Sequence, residues 1–215
     1  MSTEFTTVRK EYERGRLLEA DVSADPLQMF NEWMAAAVAA NIREPNAMTV
    51  ATATPEGRPS ARVLLLKSVD ERGFSFFTNY DSRKGEELAA NPWAALCFWW
   101  SSLERQIRIE GKVERLPAEE SDAYYNSRPL GARVGAHASA QSQVIPNRAD
   151  LEARYFALMA NYSEEKPPTR PPYWGGYLLR PVAFEFWQGG PPRLHDRLRY
   201  SGSVQTGWKI ERLSP

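Results

Sequence analysis

Apolar residues recur at two different intervals along this chain, and the interval predicts the element. Alternation every second residue, or a short continuous apolar run, marks strands at MTVATAT (48–54), SARVLLLK (60–67), GFSFFTN (73–79), AALCFWW (94–100) and ERQIRIEGKVERL (104–116);. The same signal returns at YWGGYLLRP (173–181), AFEFWQ (183–188), RLHDRLRY (193–200) and GWKIERL (207–213). Pro55-Glu56-Gly57-Arg58 reads as a hairpin turn, and Asp70 to Gly73 as another turn;. Spacing of three and four predicts four helices. The first opens at Asp25-Pro26, a cap followed by proline at the first helical position, and sets Leu27, Phe30, Met34 and Val38 on one stripe;. The second runs from about Ser82 to Ala90, and the third begins at Pro117 and carries EESDAYYNS. The fourth follows Asn147, with Leu151, Tyr155, Leu158 and Tyr162 at helical spacing.

Strands predominate and seldom alternate with helices, which argues against a doubly wound parallel sheet. The expected fold is mainly β, of the α+β class: an antiparallel barrel with peripheral helices. KPPTRPP reads as a loop, because strand-rich sequence resumes beyond it, so residues 1–215 are expected to form one domain. That length suffices to bury a core. Lys and Arg number 27, as do Asp and Glu, and the zero net charge argues against bulk nucleic-acid or acidic-membrane binding;. The lone Cys97 excludes an internal disulfide. With only His137 and His195 beside it, a protein-ligated zinc or iron–sulfur centre is nearly excluded, and no metal is expected;. A reducing, cytoplasmic setting is the corresponding expectation. The polar start MSTEFTTVRKEYERGR predicts no signal peptide, and the apolar stretch from Met34 to Ala40 is too short to cross a bilayer;.

The standard phosphate cradles GxGxxG and GxxxxGK[ST] are missing, as are GxSxG and HExxH;. Cys97 sits in an apolar strand and reads as a buried thiol. Four constellations remain. If RLHDRLRY is a strand, Arg193, His195, Arg197 and Arg199 share one face, suited to an anionic ligand with flat polar edges, or merely to solvent;. Gly189-Gly190-Pro191-Pro192 is a tight turn before it, and Trp187 supplies an aromatic surface. Arg62 and Lys67 bound the apolar run RVLLLK, on opposite faces, either reaching polar groups or snorkelling. Arg83 and Lys84 fall in the first turn of a helix, where cations oppose the dipole; a bound phosphate would account for them, or Glu86 and Glu87 would neutralise them;. Tyr124 and Arg128, four apart, share a helix face, and Gln141 and Ser142 are hydrogen-bonding residues in a loop-like stretch;. Together these features fit a phosphorylated aromatic cofactor and a phosphorylated ligand.

RVLLLK, FFTNYDSRK, LERQIRIEGKVERL, YYNSRP, QSQ, PPYWGGY, FWQGGPPRLHDRLRY and WKIERLSP follow in order from about Val8 to Pro215. In these motifs the chain resembles the pyridoxine/pyridoxamine 5′-phosphate oxidase family. The resemblance implies a split-barrel flavin fold and a homodimer with FMN at the subunit interface. It implies oxidation of pyridoxine 5′-phosphate and pyridoxamine 5′-phosphate to pyridoxal 5′-phosphate, with O2 as the electron acceptor giving H2O2. FMN is then expected to contact Arg62, Val63, Leu64, Leu65, Leu66, Lys67, Phe77 and Thr78, with Arg83 and Lys84 at its phosphate. Gln106, Gln141, Ser142, Trp187 and Arg197 complete the cofactor set.

By the same resemblance, Lys67, Tyr124 and Arg128 take the substrate phosphate. Arg193, Leu194 and His195 face its ring, with His195 as base and Arg193 as electrostatic stabiliser. Arg9, Lys10, Glu11 and Tyr12 lie in an N-terminal segment, within 1–24, that covers the substrate. The chain departs from the family pattern at SRPLGARVGA, where Ala132 replaces a serine and Arg133 a glutamine. A hydroxyl to the substrate phosphate is lost, and Arg133 is expected to compensate in part by charge. His137 is given no role. Two rival readings stay open: a split-barrel flavin or deazaflavin reductase of another substrate, and a non-enzymatic carrier of flavin or vitamin B6 phosphate.

Overall fold

Four of the five α-helices start where the sequence supplies a side-chain acceptor for the first turn or a proline. In the computed structural model, which describes residues 11–215, helix α1 (Pro26–Ala39) begins with the Asp25 carboxylate accepting the Leu27 N–H at 2.9 Å;. It buries Leu27, Met29, Phe30, Trp33 and Ala37. The expected stripe through Met34 and Val38 is therefore corrected: Val38 is 58% exposed, because the buried face follows the larger Trp33. Helix α2 (Arg83–Ala90) follows Ser82, as expected. Helix α3 (Ala118–Asn126) ends before Arg128, so Tyr124 and Arg128 do not share a helix. Helix α4 (Leu130–Ala138) was not expected, since proline and two glycines mark its stretch as irregular. One of them has a reason: a Cβ on Gly131 would sit 2.8 Å from the Tyr155 hydroxyl of α5 (Arg148–Met159).

The strands are β1 (Ala47–Ala53), β2 (Pro59–Leu65), β3 (Ser68–Asp70), β4 (Gly73–Asn79), β5 (Trp93–Trp100), β6 (Arg105–Arg115), β7 (Trp174–Gln188), β8 (Asp196–Ser203) and β9 (Gly207–Arg212). They form a mostly antiparallel sheet in the order β2-β1-β5-β6-β7-β4-β3, with β8 on β7 and β9 on β8. The path is open, without closing on itself. The predicted β1–β2 hairpin is present: the Gly57 N–H donates to the Thr54 carbonyl at 2.9 Å, with Gly57 at φ +82;. The two strands expected at 173–181 and 183–188 are one, since Pro181 interrupts the run without ending it. In the opposite direction, RLHDRLRY is not a strand throughout. β8 starts only at Asp196, and Arg193 lies in the preceding turn at φ +79.

The chain clusters into two compact units. Of the described residues, those up to Val50, with 95–111 and 181–215, make the first. Its buried aromatics contact one another edge-on: Phe30 with Phe98 and Trp33 with Phe186 at 5.3 Å, Phe186 with Tyr200 at 5.5 Å;. Residues 51–94 and 112–180 make the second, whose core holds Phe74, Phe76, Tyr125, Val134, Tyr177 and Leu179. Within it β4 pairs with β7 so that Phe76 opposes Tyr177, Phe77 opposes Gly176 and Thr78 opposes Gly175. A Cβ on Gly176 would press into Leu116 and Phe77, so the glycine there makes room for the Phe77 ring.

Candidate functional site

The second unit gathers cations that are not all paired with carboxylates. β4 ends at Asn79, and the tight turn into α2 delivers Arg83 and Lys84 beside Thr78. The Lys84 ammonium, 6% exposed, donates to Gln141 Oε1 at 2.7 Å, Thr78 Oγ1 at 2.9 Å and Ser82 Oγ at 3.0 Å. All three acceptors are neutral. Burial, reinforced by the nearby Arg62 charge, brings its pKa down to about 8;. Arg62 reaches from β2 and donates to Thr52 at 2.6 Å and to Ser60.

Glu87, a residue with no expected ligand role, ties this group together. Its Oε2 accepts from Thr52, from Ser60 at 2.6 Å and from Arg62 at 3.5 Å, while its Oε1 accepts from Arg83 at 2.9 Å. Burial raises its pKa, but the Ser60, Thr52 and Arg83 hydrogen bonds outweigh it and bring the value to about 2. Glu87 thus does neutralise Arg83, as one of the two alternatives held, while Lys84 is left to neutral oxygens. Val63 is 67% exposed and Leu66 is buried. Ser142 stands at φ +73, beside Gln141, which also lines a cavity of about 460 Å³ with Asn79, His137 and Tyr173. His137 Nε2 lies 2.9 Å from the Thr169 carbonyl.

A second group in the same unit is aromatic, with a cation at each end. The Phe77 and Tyr124 rings stack at 3.9 Å, and Trp174 lies parallel to Tyr124 at 6.2 Å. Lys67 Nζ stands 5.9 Å from the Tyr124 centroid, and the Arg128 guanidinium 4.7 Å from that of Trp174;. Among the described residues Arg128 Nη1 is buried with no hydrogen-bond partner, and burial lowers its pKa. An orphaned buried guanidinium nitrogen is costly unless a ligand completes it. The structure therefore brings Lys67, Phe77, Tyr124 and Arg128 together, and adds Trp174. Ala132 lies on α4, and Arg133 beside it is buried and bonded to Glu164 at 2.6 Å. The compensating charge expected of Arg133 is thereby already matched.

The first unit holds the remaining residues. Trp187 and His195 lie 4.8 Å apart, and Tyr12 meets both edge-on at 5.6 Å. Trp99, which drew no expectation, lies 5.8 Å from Trp187. His195 is outside β8, so the shared strand face with Arg193 is corrected: both lie in the irregular stretch that leads into the strand. The Gly190 N–H donates to His195 Nδ1 at 3.2 Å, which places the proton of the neutral ring on Nε2;. Leu194 is 69% exposed. Arg197 is held by Glu185 through Nε at 2.9 Å and Nη2 at 3.1 Å, which raises its pKa, and Nη1 donates to the Ser214 carbonyl. Gln106 is half-buried on β6. Glu11 is exposed, and Arg9 and Lys10 lie outside the described residues. Residues missed from sequence, such as Trp174 and Glu185, act through partners far along the chain, which local spacing does not reveal.

Comparison with known proteins bears on this arrangement. A family model described as pyridoxamine 5′-phosphate oxidase matches residues 34–162, and one described as the pyridoxine 5′-phosphate oxidase C-terminal dimerisation region matches 174–215. Proteins named pyridoxine/pyridoxamine 5′-phosphate oxidase from Bordetella petrii and Burkholderia vietnamiensis are 57% and 58% identical. The matches cover 97% and 99% of this chain, and 98% and 100% of theirs. Among solved structures, PhzG from Burkholderia lata in complex with tetrahydrophenazine-1-carboxylic acid is 36% identical, with a TM-score of 0.86 over 93% of this chain and 98% of that one. A pyridoxamine 5′-phosphate oxidase-related, FMN-binding protein from Nostoc punctiforme has a TM-score of 0.67 at 21% identity, over 86% of this chain and 97% of that one, and shows the shared fold. Among the described residues no helix is long and apolar enough to cross a membrane. On the two family models and on relatives more than half identical over nearly their whole length, this chain belongs to the pyridoxine/pyridoxamine 5′-phosphate oxidase family.

Proposed function

We propose that the protein uses FMN to oxidise pyridoxine 5′-phosphate and pyridoxamine 5′-phosphate to pyridoxal 5′-phosphate, with O2 as the terminal acceptor giving H2O2. Family membership supports FMN as the cofactor. The observation that carries the substrate reading is the buried, unpartnered Nη1 of Arg128 beside stacked aromatic rings and Lys67. A phosphate ester supplies the oxygens that this nitrogen lacks.

The residues present fit FMN. Lys84, with Arg83 and Arg62, would hold its phosphate; an ammonium given only neutral acceptors gains most from an anion;. Bound FMN supplies the hydride acceptor, leaving the protein to bind and orient. Lys67, Tyr124 and Arg128 anchor the substrate phosphate and so fix one end of the substrate. His195, its Nδ1 occupied by Gly190, offers the substrate an Nε2–H donor instead of the base expected from the resemblance, and the substrate proton passes to solvent;. Arg193 supplies fixed positive charge where the substrate loses its proton. Ala132 contributes no hydroxyl.

One observation favours a second reading. The Burkholderia lata protein was solved with a carboxylic acid that carries no phosphate. An oxidase of such a ring acid would make less use of Arg128. Anaerobic titration of the FMN-loaded protein separates the two. Bleaching of the flavin by pyridoxine 5′-phosphate or pyridoxamine 5′-phosphate, with recovery in air and release of pyridoxal 5′-phosphate and peroxide, is the expected result. Bleaching by unphosphorylated ring acids alone favours the second reading. Bound FMN bleached by neither points to a reductase or a carrier, and protein that takes up no flavin overturns the proposal.

A further inference from the structure

Two carboxylates fasten the backbone of residues 13–17. Glu104, between β5 and β6, accepts the backbone N–H of Glu13 at 2.8 Å and of Arg14 at 3.0 Å on one oxygen, Oε2. Three residues on, Asp196 accepts the Leu17 N–H at 2.9 Å, and Arg212 bonds both Asp196 and the Leu17 carbonyl. Glu104 is 2% exposed and stands at φ +55, a left-handed backbone that non-glycine residues rarely take;. Its own carbonyl accepts the Gly189 N–H at 2.8 Å. Gly189 in turn leaves room for Tyr12: a Cβ there would lie 2.8 Å from Tyr12 Cβ and Cγ. Glu104 therefore secures both sides of the place where Tyr12 meets Trp187 and His195.

We infer that Glu104 is a positioning residue, whose carboxylate clasps the backbone at Glu13 and Arg14 and so sets Tyr12 against Trp187 and His195 for substrate capture. A buried anion taking two consecutive amides is a stronger tie than a neutral acceptor. Its effect falls on the edge-on Tyr12 ring and not on the hydride step. The substrate part of this inference rests on the function proposed above; the clasp itself does not.

Two measurements on the FMN-loaded full chain test it. Hydrogen exchange of the 11–17 segment, without substrate, reads the clasp: the Glu13 and Arg14 amides are expected to lose protection in Glu104→Ala and to keep part of it in Glu104→Gln, which retains an acceptor oxygen. Unchanged exchange in Glu104→Ala overturns the clasp, and if that variant fails to fold, full protection in Glu104→Gln at unaltered KM does the same. Steady-state kinetics with pyridoxine 5′-phosphate read the positioning: KM is expected to rise about tenfold in Glu104→Ala with kcat nearly unchanged. The rise is expected to vanish when Tyr12→Ala is already present. An equal rise in the Tyr12→Ala background means that Glu104 acts only structurally and refutes the positioning role. Wild-type protein that oxidises neither phosphate ester refutes the functional reading and the substrate part together, and the exchange result then decides the clasp alone.

Discussion

Three neutral oxygens around the Lys84 ammonium make that residue a pH-sensitive element of anion binding. Its pKa is lowered to about 8 by burial first and the Arg62 charge second. A flavin phosphate is a dianion at that pH and favours the charged amine. Free protein loses the proton above about pH 8, so binding must restore it and affinity falls as pH rises. The expected outcome is an FMN Kd, read by quenching of flavin fluorescence, that is flat below pH 8. Above it the Kd weakens by up to about tenfold per pH unit, and Lys84→Met abolishes the slope. Arg128 makes a different prediction. Arg128→Met is expected to weaken pyridoxal 5′-phosphate binding by about 2 kcal/mol, the size of a charge-assisted hydrogen bond, and to leave pyridoxal binding unchanged. Isothermal titration with the two ligands checks it. Lys84, Arg83 and Arg128 were legible because they stand in compact motifs. Glu104 was not, because the amides it accepts lie 90 and 91 positions away.

At the scale of elements, the periodicity located most strands and four of the five helices, and it failed where proline or glycine has a tertiary reason to be present. Helix α4 was hidden by the glycine that admits Tyr155, and the length of β7 by Pro181. The alternation in RLHDRLRY suggested a strand one turn too early, because charge spacing alone does not distinguish a strand from the turn feeding it. The α2 terminus is the element on which the cation cluster depends, and one glycine permits it. A Cβ on Gly85 would overlap the Tyr80 carbonyl oxygen, a backbone atom that cannot move without displacing the turn. Alanine improves helix propensity by about 1 kcal/mol, but the overlap is expected to outweigh this. Gly85→Ala should lose about 2 kcal/mol in denaturant unfolding and lower the FMN content of the purified protein; unchanged values for both would refute the assignment.

For the whole molecule, the match of residues 174–215 to a dimerisation region supports a homodimer. Sedimentation equilibrium is expected to give about twice the 24.4 kDa of the chain. If FMN lies at the subunit interface, as the resemblance implies, dilution should release flavin and subunits over the same concentration range. Flavin retained by the monomer would separate the two. The division of the chain has a further consequence, for inheritance. The two compact units meet along the sequence at four places, after Val50, Ala94, Gly111 and Arg180. A single genetic crossover between two relatives therefore cannot exchange one unit whole, since every offspring would carry at least one unit as a mosaic of the parents. Exchange of one intact unit would take four crossovers at once. Substrate preference in this lineage should therefore change by substitution within the chain, with both units descending together.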